Sequence, residues 1–236
     1  MALSDILRLY EIEDLSVPLT RVMSFSKFKD LIDSETLYFA PASKFDDKLE
    51  GNYTNLDHQK SEEQLISWSF DDVALKVASD AKKLVIRHNQ QVVVISCWTM
   101  ATEISDRMWD TYTFSEDSLA IQTTVGKLRK ALGTDFLFIP VKYLDFNKDA
   151  IPRNDSLEPF FYKQKSYYWE KELRIVAEVE SGARIGTPRK APVSLSSIIS
   201  AIKFHPRASK EFIKNVHILV KRIEIKGSAN LINEFD

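Results

Sequence analysis

With 236 residues, 44% hydrophobic and 28% charged, the chain is long enough for a substantial core and too apolar to be disordered. Its 32 Lys and Arg against 34 Asp and Glu give a formal net charge of -2, which excludes a general attraction to nucleic acid or anionic membrane and leaves only a local basic groove. The single cysteine excludes an intramolecular disulfide, and no apolar run approaches the roughly 20 residues that cross a bilayer, so no membrane contact is expected.

The opening MALSDILRLYEIED is acidic and lacks the basic start and cleavage site of an export signal, which makes the cytoplasm the default compartment. LTRVM at 19–23 alternates as a short strand, SKFKDLID at 26–33 is helical, and TLYFA at 36–40 is a second strand. FDDKLEGN at 45–52 is a polar loop turning at Gly51. Ser61 and Gln64 read as a capping box that opens a helical insertion at 61–89. QVVVISCW at 91–98 is a buried strand. Thr102 is expected to cap EISDRMWDTY, whose Ile104, Met108, Trp109 and Tyr112 share one face.

SLAIQT at 118–123 is the next strand, VGKLRKALG a helix stopped by Gly133, and FLFIPVKYL at 136–144 another strand. LEPFFYKQKSYYW is expected to be helical. It leads into SYYWEKELRIV, where a strand period puts Glu170, Glu172 and Arg174 on one face and Leu173, Ile175, Ala177 and Val179 on the other. ELRIVAEVE at 172–180 reads as a strand, GARIGTPRKAP as an exposed turn region and SIISAIKFH as a strand. SKEFIKNVHILVK is a helix opened by Ser209, and RIEIK is a final strand. The pattern predicts a single α+β domain over 1–236, a mixed or largely antiparallel sheet flanked by helices.

Absences narrow the chemistry. The six glycines, at 51, 126, 133, 182, 186 and 227, build no phosphate loop of the Rossmann or Walker type. The four histidines, at 58, 88, 205 and 217, form no HExxH pair, and one cysteine cannot supply a zinc cluster. There is no GxSxG elbow, and Cys97 in an apolar strand reads as an inert thiol. Asp46, Asp47 and Glu50 with Glu170 and Glu172 offer oxygens to Mg²⁺, yet no spacing makes them converge, and no metal is expected. Lys163, Lys165 and the aromatics at 167–169 could stack a base and neutralise a phosphate, or simply pack in the core.

The order LYFAPASKFDDKLEG, a strand ending SCW, then MWDTY, SLAI, VKY, Lys163 and an aromatic-EKELRIV stretch resembles a bacterial family of unknown function. Its members share a Phe-Asn-Asp-Pro-Phe-Glu-Gly-like loop, a Met-Trp-x-x-Tyr helix and a Glu-x-Glu-x-Arg strand. The resemblance covers roughly residues 19–205, with Phe45, Asp47, Glu50 and Gly51 matching the loop, Met108, Trp109 and Tyr112 the helix, and Glu170, Glu172 and Arg174 the strand. The chain departs from it at Asp46, Asp47 and Lys48, where the family has Asn-Asp-Pro, and lacks a His-Lys-Gly stretch before SLAI.

At the level of layout, Arg21 on an early strand, Ser96 on a middle strand and Glu172 on a late strand look like the Arg/Ser/Glu arrangement and split sheet of ADP-ribosyltransferases. That resemblance implies NAD as substrate, with Arg21 binding its phosphates, Ser96 orienting the ribose, Glu172 catalytic and Glu170 auxiliary. Trp109 or Tyr112 would flank the nicotinamide, and Lys163 and Arg174 would contribute to binding. A carboxylate is worth most where positive charge develops on a sugar carbon. The implied enzyme is a toxin or phage-defence effector acting on a nucleotide, with a nucleic acid or protein as acceptor. The competing reading is a non-catalytic recognition module whose Glu/Arg stripe is a structural ion-pair network. One cleft holding Arg21, Ser96 and Glu172 within one ligand's reach would favour the enzyme; an Arg21 facing the far side of the sheet would remove the analogy.

Overall fold

The structure, a computed structural model, describes residues 5–47, 49–68, 70–152 and 155–222. A short helix α1 (Asp5–Arg8) precedes β1 (Pro18–Ser24), α2 (Phe25–Ser34) and β2 (Thr36–Pro41). Helix α2 forms because the Ser24 hydroxyl accepts from the Lys27 amide and Phe28, Leu31 and Ile32 fall on one buried face; Glu35 in the left-handed region (φ 47°) ends it. Two helices follow, α3 (Asn55–Ser67) and α4 (Asp72–Val92), so the helical segment is longer than 61–89 at both ends. Thr54 and Asp57, not Ser61, make the capping box of α3, and the Ser61 hydroxyl donates to the Asp57 carbonyl inside the helix.

Strand β3 (Val93–Thr99) leads to α5 (Asp106–Tyr112), whose cap is Ser105 and not Thr102. Next come β4 (Ser118–Thr124) and α6 (Val125–Leu132), the latter ended by Gly133 at φ 76°. The stretch at 136–144 divides into β5 (Leu137–Pro140) and β6 (Lys142–Leu144). The expected helix at 157–169 is absent: two 3₁₀ turns, Glu158–Phe161 and Lys165–Glu170, flank β7 (Tyr162–Gln164). Phe160, Phe161 and Tyr162 are all buried, and consecutive residues cannot share one helical face. After β8 (Glu172–Glu178), the supposed turn region contains β9 (Arg189–Pro192), which extends the sheet beyond β2. SIISAIKFH contributes a helical turn α7 (Leu195–Ile198) before β10 (Ala201–Phe204), and α8 (Lys210–Arg222) closes the described chain. The Ser209 hydroxyl accepts from the Phe212 amide at the start of α8. Arg222 of RIEIK belongs to α8, and the rest of that segment lies outside the described residues.

Eight strands form one antiparallel sheet in the order β10-β4-β1-β3-β2-β9, with β8 on β3 and β5 on β8, while β6 and β7 pair in parallel apart from it. The protein is an α+β fold. Both faces of the central strands are covered. Leu19, Phe28, Trp98, Phe138 and Ile175 belong to one apolar cluster, and Ile95, Ile139, Phe160 and Val176 to the other. Among the described residues, no helix is long and apolar enough to cross a membrane.

The central strand sets the site. Strand β8 occupies one whole edge of β3, from Val93↔Glu178 to Thr99↔Glu172. The other edge is shared: β2 takes Val94 and Ile95, and β1 takes Thr99. The sheet therefore splits between β1 and β2, level with Ser96 to Trp98.

Candidate functional site

A cleft of about 730 Å³ occupies this split, and Arg21, Cys97, Tyr112, Lys163, Glu170 and Glu172 are among its lining residues. Its volume is in the range of small-molecule sites, roughly 300–1,000 Å³.

The polar wall begins with Arg174, which is 0% exposed. Its Nη1 and Nη2 donate to the two Glu50 oxygens at 2.6 and 2.8 Å, Nη1 also reaches the Phe160 carbonyl at 2.7 Å, and Nε donates to Glu172 Oε1 at 2.9 Å. The FDDKLEG loop exists in part to bring Glu50 there. Gly51 follows at φ 65°, and the Phe160 ring stands where a Cβ on Gly51 would be.

Lys163, on β7, ties two further carboxylates together. Its Nζ donates to Glu170 Oε2 at 2.5 Å and to Glu172 Oε2 at 3.2 Å, and it lies 4.6 Å from the Tyr167 ring centre. Glu172 and Arg174 share a face of β8 as a strand period requires. Glu170 does not belong to that strand: it ends the 3₁₀ turn, and Lys171 in the left-handed region (φ 44°) separates it from β8. Tyr112 from α5 brings its hydroxyl beside the Glu170 carboxyl, and the Tyr143 hydroxyl accepts from the Glu172 amide at 2.8 Å.

Three carboxylates thus surround two cations, Lys163 and Arg174, leaving one acid in excess. Burial pushes the Glu172 carboxyl up, but Arg174 and Lys163 outweigh it and hold the group down at about 2. Burial also raises Glu170; Lys163 pulls it back, the Glu172 charge works against Lys163, and the group stays above the usual range. The two neighbouring acids are driven apart. Glu50 is likewise raised by burial against the pull of Arg174. For Lys163 burial disfavours the charge, and Glu172 and Glu170 more than restore it. Burial followed by the Glu172 charge raises the Cys97 thiol, which makes it a poor nucleophile.

The opposite wall carries Arg21. Its Nη1 donates to Ser96 Oγ at 2.9 Å, its guanidinium carbon lies 5.7 Å from the Trp98 ring centre, and no carboxylate pairs with it among the described residues. Burial lowers its pKa, so its charge is held at a cost. Ser96, Trp98 and Arg21 lie on the face of the sheet opposite Glu172 and Arg174, since Cys97 is the cross-strand partner of Arg174 and Ser96 that of Ile175. Arg21 and Glu172 both border the cleft at the split, but they leave opposite faces of the sheet and Ser96 is not among the lining residues, so the expected convergence of Arg21, Ser96 and Glu172 is not found and the ADP-ribosyltransferase layout loses that support.

The expected site residues therefore separate. Arg21, Tyr112, Lys163, Glu170 and Glu172 line the cleft, and Arg174 is buried behind Glu172. Ser96 is fully buried, and its hydroxyl accepts from both Arg21 and Trp98. Trp109 is buried edge-on against His205, with ring centres 5.2 Å apart. Asp46 and Asp47 lie on the cleft border, and among the described residues no three His, Cys, Asp or Glu side chains are grouped to hold a metal. The hold of Glu50 on Arg174 and of Tyr143 on the Glu172 amide was missed in the sequence. Glu50 beside an obligatory glycine carries a readable signal, whereas Tyr143 carries none. Comparison with protein-family models, curated proteins and solved structures finds no match for the chain.

Proposed function

We propose that the chain is a nucleotide-directed enzyme that breaks an N-glycosidic bond, most concretely an NAD-dependent ADP-ribosyltransferase or NAD glycohydrolase. One observation carries the reading: a guanidinium with no carboxylate partner among the described residues and a pair of acids shifted in opposite directions border the same cleft. A guanidinium whose free N–H groups face a cleft suits phosphate oxygens, which accept two bonds at once. In this reading Ser96 acts on Arg21, fixing the fork that meets the diphosphate.

At the acidic end the ribose C1′–N bond breaks and its electron pair leaves with the nicotinamide nitrogen, which becomes neutral. The positive charge passes to the sugar as an oxocarbenium ion, which the ionised Glu172 stabilises. Water or an acceptor group attacks C1′ and gives its proton to Glu170, whose raised pKa suits a general base. Tyr112 orients Glu170, and its ring offers a surface for the leaving base.

The test combines melting curves with NAD and ADP-ribose and chromatographic detection of released nicotinamide. Both ligands are expected to raise the melting temperature, Arg21→Ala to abolish the rise, and Glu172→Gln to keep binding while turnover falls by orders of magnitude. A parent protein that neither responds to these nucleotides nor releases nicotinamide would remove the proposal. The buried Arg174–Glu172 bond favours a second reading, a recognition module in which the charges are structural. That reading expects a ligand-induced rise with no turnover.

A further inference from the structure

The steps above leave Lys163 unused, although among the described residues it is the one cation paired with both Glu170 and Glu172. We propose that Lys163 is the positioning residue of the reaction: by bridging Glu170 and Glu172 it aims both carboxylates at one point of the cleft and gives them different tasks. The inference rests on the glycosyl-transfer reading for the word reaction, and on geometry for the rest.

Two carboxylates this close repel, and each would rotate towards water if nothing held it. Lys163 occupies the space between them at 2.5 and 3.2 Å, so both oxygens that it grips point inward. Its own freedom is small. The ammonium lies over Tyr167, and the short β6–β7 ladder, in which Tyr143 pairs with Lys163, fixes its backbone. The same Tyr143 accepts from the Glu172 amide, so one ladder rung registers the lysine against the strand that carries its partner.

The surroundings explain the division of tasks. Glu172 has a second cation, Arg174, which Glu50 holds from behind, whereas Glu170 has Lys163 and the Tyr112 hydroxyl. Cys97, Tyr143 and Tyr112 are further titratable groups beside Glu172. With the lysine shared, Glu172 is doubly compensated and stays charged to face a developing cation. Glu170 is singly compensated, and burial holds its carboxyl above the ordinary carboxylate value, so it takes up a proton more readily than Glu172. A lysine that only filled space would leave that contrast intact when replaced by an isosteric apolar side chain.

Carboxyl carbon NMR titrations of Glu170 and Glu172 read this without any substrate, alongside the pH profile of nicotinamide release. In Lys163→Met both titrations are expected to rise by about 1–3 units, and Lys163→Arg to restore most of the change. Should Lys163→Met fail to fold, Glu170→Gln on the parent background gives the complementary reading: with the lysine turned wholly to Glu172, the Glu172 titration falls. Unmoved titrations in a folded Lys163→Met, or an unmoved Glu172 in Glu170→Gln, would overturn the inference. Shifted titrations in a protein whose parent releases no nicotinamide would overturn the reaction and hence the catalytic meaning of the bridge. Shifted titrations with a displaced pH profile, recovered in Lys163→Arg, would support both.

Discussion

Gly51 shows how one small residue secures a charged network. Its backbone lies in the left-handed region and the Phe160 ring fills the place of its side chain, so Gly51→Ala meets backbone strain and a collision together. Denaturant unfolding should record a loss of at least about 2 kcal/mol. Glu50→Gln removes a carboxylate that faces both terminal nitrogens of a fully buried arginine, but burial already disfavours that charge, so the loss should be about 1–3 kcal/mol. Glu172→Gln should cost more, about 3–5 kcal/mol, because Arg174 and Lys163 together stabilise the Glu172 charge. Its cost should also depend on pH. The Glu172 carboxyl is held at about 2 against an ordinary 4.5, so its charge stabilises the fold fully above 4.5 and progressively less as pH falls towards 2. Parent and Glu172→Gln curves should therefore converge in acid, and a constant gap would show that the charge of Glu172 is not what is lost. The sequence places Lys163, Glu170, Glu172 and Arg174 within twelve positions, and the chain has little choice but to keep them close. The burial of Trp109 is legible from the face it shares with Met108 on α5, whereas the side to which Ser96 turns is not, because the choice between two faces of a strand covered on both sides depends on distant partners.

At the level of elements, the strands with clean alternation and the helices with one apolar face are legible, and the failures share a cause. Residues 157–170 pack aromatic side chains in several directions, which no periodic pattern encodes, and β9 is a strand because β2 has a free edge to offer, not because RKAP favours one. The α3 and α4 hairpin is helical through capping and propensity more than through burial. Val77 and Leu84 on α4 are 64% and 65% exposed, whereas Ile86 is buried. Replacing Val77 or Leu84 with Lys should change stability by less than about 0.5 kcal/mol, and Ile86→Ala should cost about 2–4 kcal/mol in the same denaturation experiment. Equal losses would mean that the exposed face has a partner.

For the molecule as a whole, the α+β class follows from alternating elements, but the split does not, since it depends on which neighbours share the edge of β3. That sharing has a consequence for the main chain. Along β3 the even-numbered residues bond to β8, as the Val179 amide to the Val92 carbonyl and the Met100 amide to the Lys171 carbonyl show at its two ends. Ile95 and Thr99 turn their peptide groups to β2 and β1. Cys97, midway, turns its N–H and C=O into the gap, where neither β2 nor β1 has a residue in register with it. In deuterium exchange the Cys97 amide should therefore lose its proton orders of magnitude faster than those of Ser96 and Trp98 on either side, a fast point inside an otherwise slow strand. A ligand seated in the split should slow that one amide, so a single backbone position in the centre of the sheet reports whether the cleft is occupied, whatever the occupant's chemistry.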